Sequence, residues 1–257
     1  STQFAMVPLN LFSGNRKADY VNTGSWSAKA MKEAGRYGTV KAVASSEDRN
    51  LAYIPDVNPE ALSPDADYVH ITTNNTICGT RFTTIPDTGN VTLVADMSSN
   101  ILSQVYEMKK FGLIYAGAQK NVAPAGLTIV IVRNDLIGNA LDITPTMLNY
   151  RTHAQKGSLY NTPPCWCIYM AKLMFDWIKE QGGVAALQAR NEEKAGLLYD
   201  FLDDSRLFTP TADKKDRSLM NVTFTLPDQE LTRKCVSAAE LQGMVNLKGH
   251  RSVGGLR

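Results

Sequence analysis

One lysine in this chain stands where chemistry is possible. Lys120 lies in Tyr115-Ala116-Gly117-Ala118-Gln119-Lys120-Asn121, a turn of small residues between two apolar runs, 111–115 and 127–132. The pattern reads as strand, tight turn, strand, and small neighbours let a ligand approach the backbone closely. An amine held at a strand's end is a candidate Schiff-base nucleophile, because burial lowers an ammonium's pKa and frees the lone pair. A solvated surface charge is the competing reading for any one of the 27 Lys and Arg residues. Two further apolar runs end in the same way. Residues 68–72 lead into Asn74-Asn75-Thr76, and residues 91–95 lead into Asp96. In open α/β sheets ligands sit beyond the carboxyl ends of strands, so three such ends form a coherent set.

An aromatic, phosphorylated aldehyde would use this set in a definite way. A lysine forms the imine, and a carboxylate keeps the ring nitrogen protonated so that the ring can act as an electron sink. An aromatic side chain stacks on the ring. Small neutral donors hold the phosphate. Lys120, Asp96, Trp26 and the group Thr76, Gln119, Asn161 and Thr162 meet these demands. Each also has a plain structural reading. Asp96 serves as well as an N-cap or turn former. Trp26 fits a core, Thr76 fits an ordinary loop, and Asn161-Thr162 fits the cap of a helix at Pro163.

The elements that must position these residues follow from pattern. Residues 1–11 read as a polar start and an apolar run containing Pro8. Residues 20–22 read as a short strand turning into a helix, capped by Ser25 or Ser27 and stopped by Gly38. Residues 40–44 read as strand, and 45–67 as loop with one helical turn. Thr162-Pro163-Pro164 is expected to start a helix with Thr162 as its cap. Ile168, Ala171, Phe175 and Ile178 share one face of it, and Gly182-Gly183 stops it. A second helix over 184–202 has Leu187, Leu198 and Leu202 as its apolar stripe, and 220–224 look strand-like. The fold class is α/β. A large domain, 1–183, is expected to carry a mostly parallel, mixed sheet flanked by helices, and 184–257 a smaller α+β domain.

The totals exclude several function classes. The 257 residues suit one large domain or two modest ones. A net charge of +2 gives no strong field toward nucleic acid or an anionic membrane. No apolar run approaches the roughly 20 residues of a bilayer span, and no signal-peptide pattern is visible. The four cysteines lack CxxC spacing and the three histidines lie far apart, so neither zinc nor a disulfide framework is expected, and a reducing, cytoplasmic setting is. No GxGxxG follows a strand, which argues against a nucleotide-binding Rossmann protein.

Six stretches carry a family resemblance. They are 18–27 (ADYVNTGSWS), 74–77 (NNTI), 94–99 (VADMSS), 115–121 (YAGAQKN), 157–164 (GSLYNTPP) and 247–255 (LKGHRSVGG). In this order, over essentially the whole chain, they resemble the phosphoserine aminotransferases, class V pyridoxal 5'-phosphate (PLP) enzymes of the fold-type I superfamily. The resemblance implies PLP as cofactor and amino transfer between glutamate and 3-phosphohydroxypyruvate in serine biosynthesis. It makes Lys120 the cofactor lysine and proton carrier, Asp96 the partner of the ring nitrogen, Trp26 the stacking residue and Thr76 a donor near the ring hydroxyl. Gln119, with Ser1 and Thr2 of a phosphate-cradling loop, would touch the phosphate. Asn161 and Thr162 would reach the cofactor phosphate of the neighbouring subunit in a homodimer. His250 and Arg251 would grip the substrate's phosphate, and Arg257 its α-carboxylate; guanidinium forks suit both anions. Family members carry more chain at each end, so the ends at Ser1 and Arg257 are expected to be cuts through something longer. The alternatives are another class V enzyme, a cysteine desulfurase or serine–glyoxylate type aminotransferase, and a non-catalytic dimerisation module.

Overall fold

The computed structural model describes residues 2–251 and 253–257. In chain order the elements are α1 (Gln3–Leu11), β1 (Lys17–Asn22), α2 (Ser25–Ala34), β2 (Thr39–Ser45), β3 (Tyr68–Thr72), β4 (Asn74–Asn75), β5 (Thr80–Arg81), β6 (Leu93–Asp96), β7 (Leu113–Gly117), β8 (Thr128–Val132), α3 (Tyr150–Gln155), α4 (Cys165–Glu180), α5 (Gly183–Asp204), β9 (Thr209–Pro210), β10 (Phe224–Thr225) and α6 (Gln229–Leu241). Six strands form one sheet in the order β2-β1-β3-β6-β7-β8. It is parallel except at β8, which turns back antiparallel to β7.

Strands β3 and β6 are buried along their whole length, as central strands covered on both faces must be. Successive side chains alternate between two cores. On one face Val69, Ile71, Leu93, Ala95 and Ile114 pack with Phe82, Ile101 and Phe111. On the other, Tyr20, Tyr68, Val94, Leu113 and Tyr115 pack beneath Met6, Val7 and Leu11 of α1 and Ala30 and Ala34 of α2. A third, smaller cluster joins Ala195, Tyr199 and Leu202 of α5 to Phe208, Leu219, Val222 and Phe224. Among the described residues no helix is long and apolar enough to cross a membrane.

Several local expectations are corrected. The run with Pro8 is a helix, α1, with the proline inside it. Proline removes one helical hydrogen bond, but the packed Met6, Val7, Leu9 and Leu11 outweigh that loss, since packing of an apolar face supplies most helix stability in a fold. Helix α2 ends at Ala34, with Gly35 as its C-cap rather than Gly38. Gly38 instead lets two segments touch: a Cβ there would lie 2.4 Å from the Arg16 carbonyl oxygen. Ser27, not Ser25, satisfies the start of α2, its Oγ accepting from the Thr23 and Gly24 amides at 3.0 Å each. Helix α4 begins at Cys165 with Pro164 in the cap position, so Thr162 does not cap it. Its buried residues are Cys167, Ala171 and Ile178, while Ile168 and Phe175 face outward. The buried stripe of α5 is Ala195, Tyr199 and Leu202; Leu198 is exposed and Leu187 half-buried. The small alanine admits the close approach that a row of leucines would block. The loop over 45–67 holds two short 3-10 turns, not one. The stop at Gly182-Gly183 stands as read, with Gly182 at φ 91°, a left-handed conformation that favours glycine.

Candidate active site

Because β3, β6 and β7 run parallel, their carboxyl ends lie on one edge of the sheet. Register brings Thr72 beside Asp96, and Asp96 beside Tyr115. A cavity of about 310 Å³ opens at that edge. Asp96 enters it from the end of β6 with Ser98 just beyond, Gly117 from the end of β7 with Gln119 and Lys120 in the turn after it, and Thr72 from the end of β3 with Thr76 further on. Trp26 of α2 and Thr2 and Phe4 at the start of α1 also line it.

Asp96 is buried at 6% exposure. One of its oxygens, Oδ1, accepts from the Ser98 amide at 2.8 Å, and Tyr115 stands beside it in register on β7. Burial pushes the Asp96 pKa up, while Ser98, Tyr115 and the charge on Lys120 pull it back. Lys120 Nζ donates to Thr76 Oγ1 at 3.0 Å and lies 5.9 Å from the centre of the Trp26 ring. Partial burial draws the Lys120 ammonium below its usual range; the Asp96 carboxylate opposes this, and the Arg257 charge adds to it. Glycine at 117 has a local cause, since a Cβ there would come 2.7 Å from Gln119 Oε1, which folds back over the strand end.

Two buried polar atoms on residues of this wall, Trp26 Nε1 and Thr72 Oγ1, find no hydrogen-bond partner. Leaving such groups unpaired costs about 1–3 kcal/mol each, so they suit a polar ligand. The Thr2 side chain makes no capping bond at the start of α1. The amino end of α1 borders the cavity through Thr2 and Phe4. An acid, an amine, an indole and small polar side chains around one cavity fit a flat, phosphorylated, nitrogen-containing ring.

The remaining sequence candidates lie elsewhere. His250 and Arg257 line a second cavity of about 520 Å³, with Arg49, Thr211 and Thr223 among its other walls. Arg257 Nη1 donates to the Thr76 carbonyl at 3.4 Å, so Thr76 touches Lys120 with its hydroxyl and Arg257 with its backbone. Arg251 is exposed and lines neither cavity. Asn161 and Thr162 are exposed and away from the first cavity, Asn161 Nδ2 lying against Met147 Sδ at 3.1 Å. Ser1 lies outside the described residues. Sequence reasoning gave no role to Phe4, Thr72 or Ser98. Of these only Ser98 carried a readable signal, two residues after an aspartate that can close an Asx-turn.

The family model for class V aminotransferases matches residues 1–254. The phosphoserine aminotransferase of Bacillus cereus is 56% identical over 257 residues, which is all of this chain and 71% of the relative. This chain belongs to the phosphoserine aminotransferases. The solved phosphoserine aminotransferase of Bacillus circulans subsp. alkalophilus superposes with a TM-score of 0.96 at 48% identity, covering 100% of this chain and 71% of that one. The PLP-bound phosphoserine aminotransferase of Trichomonas vaginalis does so at 0.90 and 36%, covering 99% and 73%. The fold is that of a fold-type I transferase, a mostly parallel mixed sheet between helices, and the chain is an aminotransferase.

Proposed function

We propose that the chain transfers an amino group between L-glutamate and 3-phosphohydroxypyruvate, giving 2-oxoglutarate and O-phospho-L-serine, with PLP held in the first cavity. The observation that carries this is the meeting of Lys120 and Asp96 in one cavity beside the Trp26 indole. When bound, PLP supplies an electrophilic carbon and an electron sink. Lys120 Nζ, already drawn below its usual pKa, holds the cofactor carbon and carries a proton to and from the substrate carbon. Asp96 meets the ring nitrogen and keeps a proton there. Trp26 would stack on the ring, and Thr76 would serve as a hydrogen-bond donor near the ring hydroxyl. Gln119 and Thr2 hold the phosphate, and Asn161 and Thr162, exposed and away from this chain's own cavity, serve the partner's in a homodimer. His250 and Arg251 take the substrate's phosphate, and Arg257, hydrogen-bonded beside Lys120's partner Thr76, takes its α-carboxylate. We divide the chain at Gly182-Gly183 into a cofactor domain and a small domain, as the separate cluster around Tyr199 supports. Four free cysteines are in keeping with a cytoplasmic setting.

The test is a substrate screen. With PLP supplied and 2-oxoglutarate as acceptor, phosphoserine should turn over far faster than alanine, and cysteine should release no sulfide. Preference for alanine, or sulfide from cysteine, would contradict the assignment.

A further inference from the structure

The second cavity holds a cation with no role so far. Its volume of about 520 Å³ suits a small molecule. Three basic side chains line it: His250 and Arg257, already given roles, and Arg49. Among the described residues no aspartate or glutamate lines it, and the two guanidinium groups give its walls fixed positive charge. Arg251, next to His250 in the chain, is exposed and lines neither cavity. Arg49 is the arginine that joins Arg257 in the wall.

Arg49 is held in one pose. It ends the short 3-10 turn Glu47–Arg49 that follows β2. Its Nη2 donates to Asp213 Oδ1 at 2.9 Å, and the guanidinium carbon lies 5.0 Å from the centre of the Tyr53 ring. Asp213 is itself pinned, its amide donating to the Ala52 carbonyl at 2.7 Å. Neither Asp213 nor Tyr53 lines the cavity. A guanidinium carries five N–H groups, and Asp213 is the only hydrogen-bond partner of this one among the described residues. The rest of the fork is open to a ligand. Asp213 neutralises part of the charge, but it leaves the parallel N–H pair that grips two oxygens of a phosphate. A long side chain ordered in advance also loses less freedom when a ligand binds.

Position separates the two arginines. Arg257 bonds the Thr76 carbonyl, and the Thr76 hydroxyl meets Lys120. Arg49 comes from beyond β2, the outermost strand, four strands along the sheet from β7, which Lys120 follows. A substrate with its amino carbon near Lys120 and its carboxylate on Arg257 has its far end left to hold. We propose that Arg49 is a specificity-determining residue of the second cavity, its guanidinium taking the distal anion of the substrate, a phosphate dianion. This rests on the aminotransferase reading above, and it adds to His250 a cation that the wall of the cavity actually presents.

Two measurements on the full chain, with PLP in excess, test it. The first is calorimetric titration with inorganic phosphate of the parent, Arg49→Gln, Arg49→Lys and Arg206→Gln. Arg206 is exposed and lines neither cavity, so its loss controls for net charge. Arg49→Gln should bind phosphate about tenfold more weakly, the scale of a hydrogen bond to a charged group. Arg49→Lys keeps the charge but not the fork and should recover only part of the affinity; it decides the matter if Arg49→Gln does not fold. Arg206→Gln should match the parent. The second measurement compares kcat/KM for phosphoserine and for alanine, which has no distal anion. Arg49→Gln should lower the phosphoserine value about tenfold and leave the alanine value unchanged, whereas a merely structural role would lower both alike. Parent-like phosphate affinity in both Arg49 variants, an equal loss in Arg206→Gln, or equal losses for the two amino acids would overturn the proposal. A parent that binds phosphate through Arg49 yet fails to transaminate phosphoserine would uphold the anion site and contradict the proposed reaction instead.

Discussion

Trp26 stands at the second position of α2 with two cations near its ring. Lys29 Nζ lies 4.6 Å from its ring centre and Lys120 Nζ 5.9 Å. Its Nε1 is buried without a partner. A merely structural tryptophan would have found one, because an unpaired donor is costly. Aromatic stacking contributes about 0.5–1.5 kcal/mol beyond burial, or roughly two- to tenfold in affinity. Trp26→Ala should weaken PLP binding by at least that factor in an absorbance titration; an unchanged affinity would remove Trp26 from the site. At this scale the sequence was informative where a residue type is rare in its context. A lone lysine among Gly and Ala, an aspartate closing a strand, and a tryptophan beside a glycine-capped helix start could each be singled out, and the fold brings all three to one cavity. Thr72 and Ser98 could not, because Ser and Thr occur everywhere and only tertiary placement makes them wall residues. His70 reads as one more apolar strand position, since its partner Tyr115 is 45 residues away.

Among the elements, β3 shows both what a sequence reveals and what it hides. The run Tyr-Val-His-Ile-Thr is β-prone and nearly all apolar, and the strand spans the five residues expected of it. Its histidine has a consequence for stability. In an unfolded chain histidine takes up a proton near pH 6.5, but in β3 burial delays that to about 3. The unfolded state therefore binds more protons between these values, so stability is complete above pH 6.5 and falls as pH drops toward 3. The loss runs to at most about 1.4 kcal/mol per pH unit. Asp96 acts in the opposite sense, its raised folded pKa adding stability as pH falls into the carboxylate range. The interval from 6.5 to about 5 is the clean window for His70. Denaturant unfolding should show stability declining with acidity there in the parent, with a flatter profile in His70→Gln; equal slopes would contradict burial of a neutral histidine. Helix α1 was the element least legible, because Pro8 disguises it and only packing against Tyr20, Tyr68 and Tyr115 reveals why a helix forms.

Across the whole molecule, Asn74 joins the two parts of the chain. Its Nδ2 donates to Ser99 Oγ at 2.8 Å beside the first cavity and to Asn221 Oδ1 at 2.9 Å from the smaller C-terminal cluster's side. Arg257 reaches the same region through the Thr76 carbonyl. The first cavity is thus braced by residues nearly 150 positions away, a long-range arrangement that no local pattern announces. The proposed activity depends on Lys120 and Asp96 serving a single bound ring. The direct measurement is an absorbance spectrum of the purified chain titrated with PLP, beside Lys120→Ala. The parent should develop a visible band that saturates at one equivalent, and the variant, shown by circular dichroism to be folded, should not. A parent that takes up no PLP, or a variant with the same band, would contradict the account.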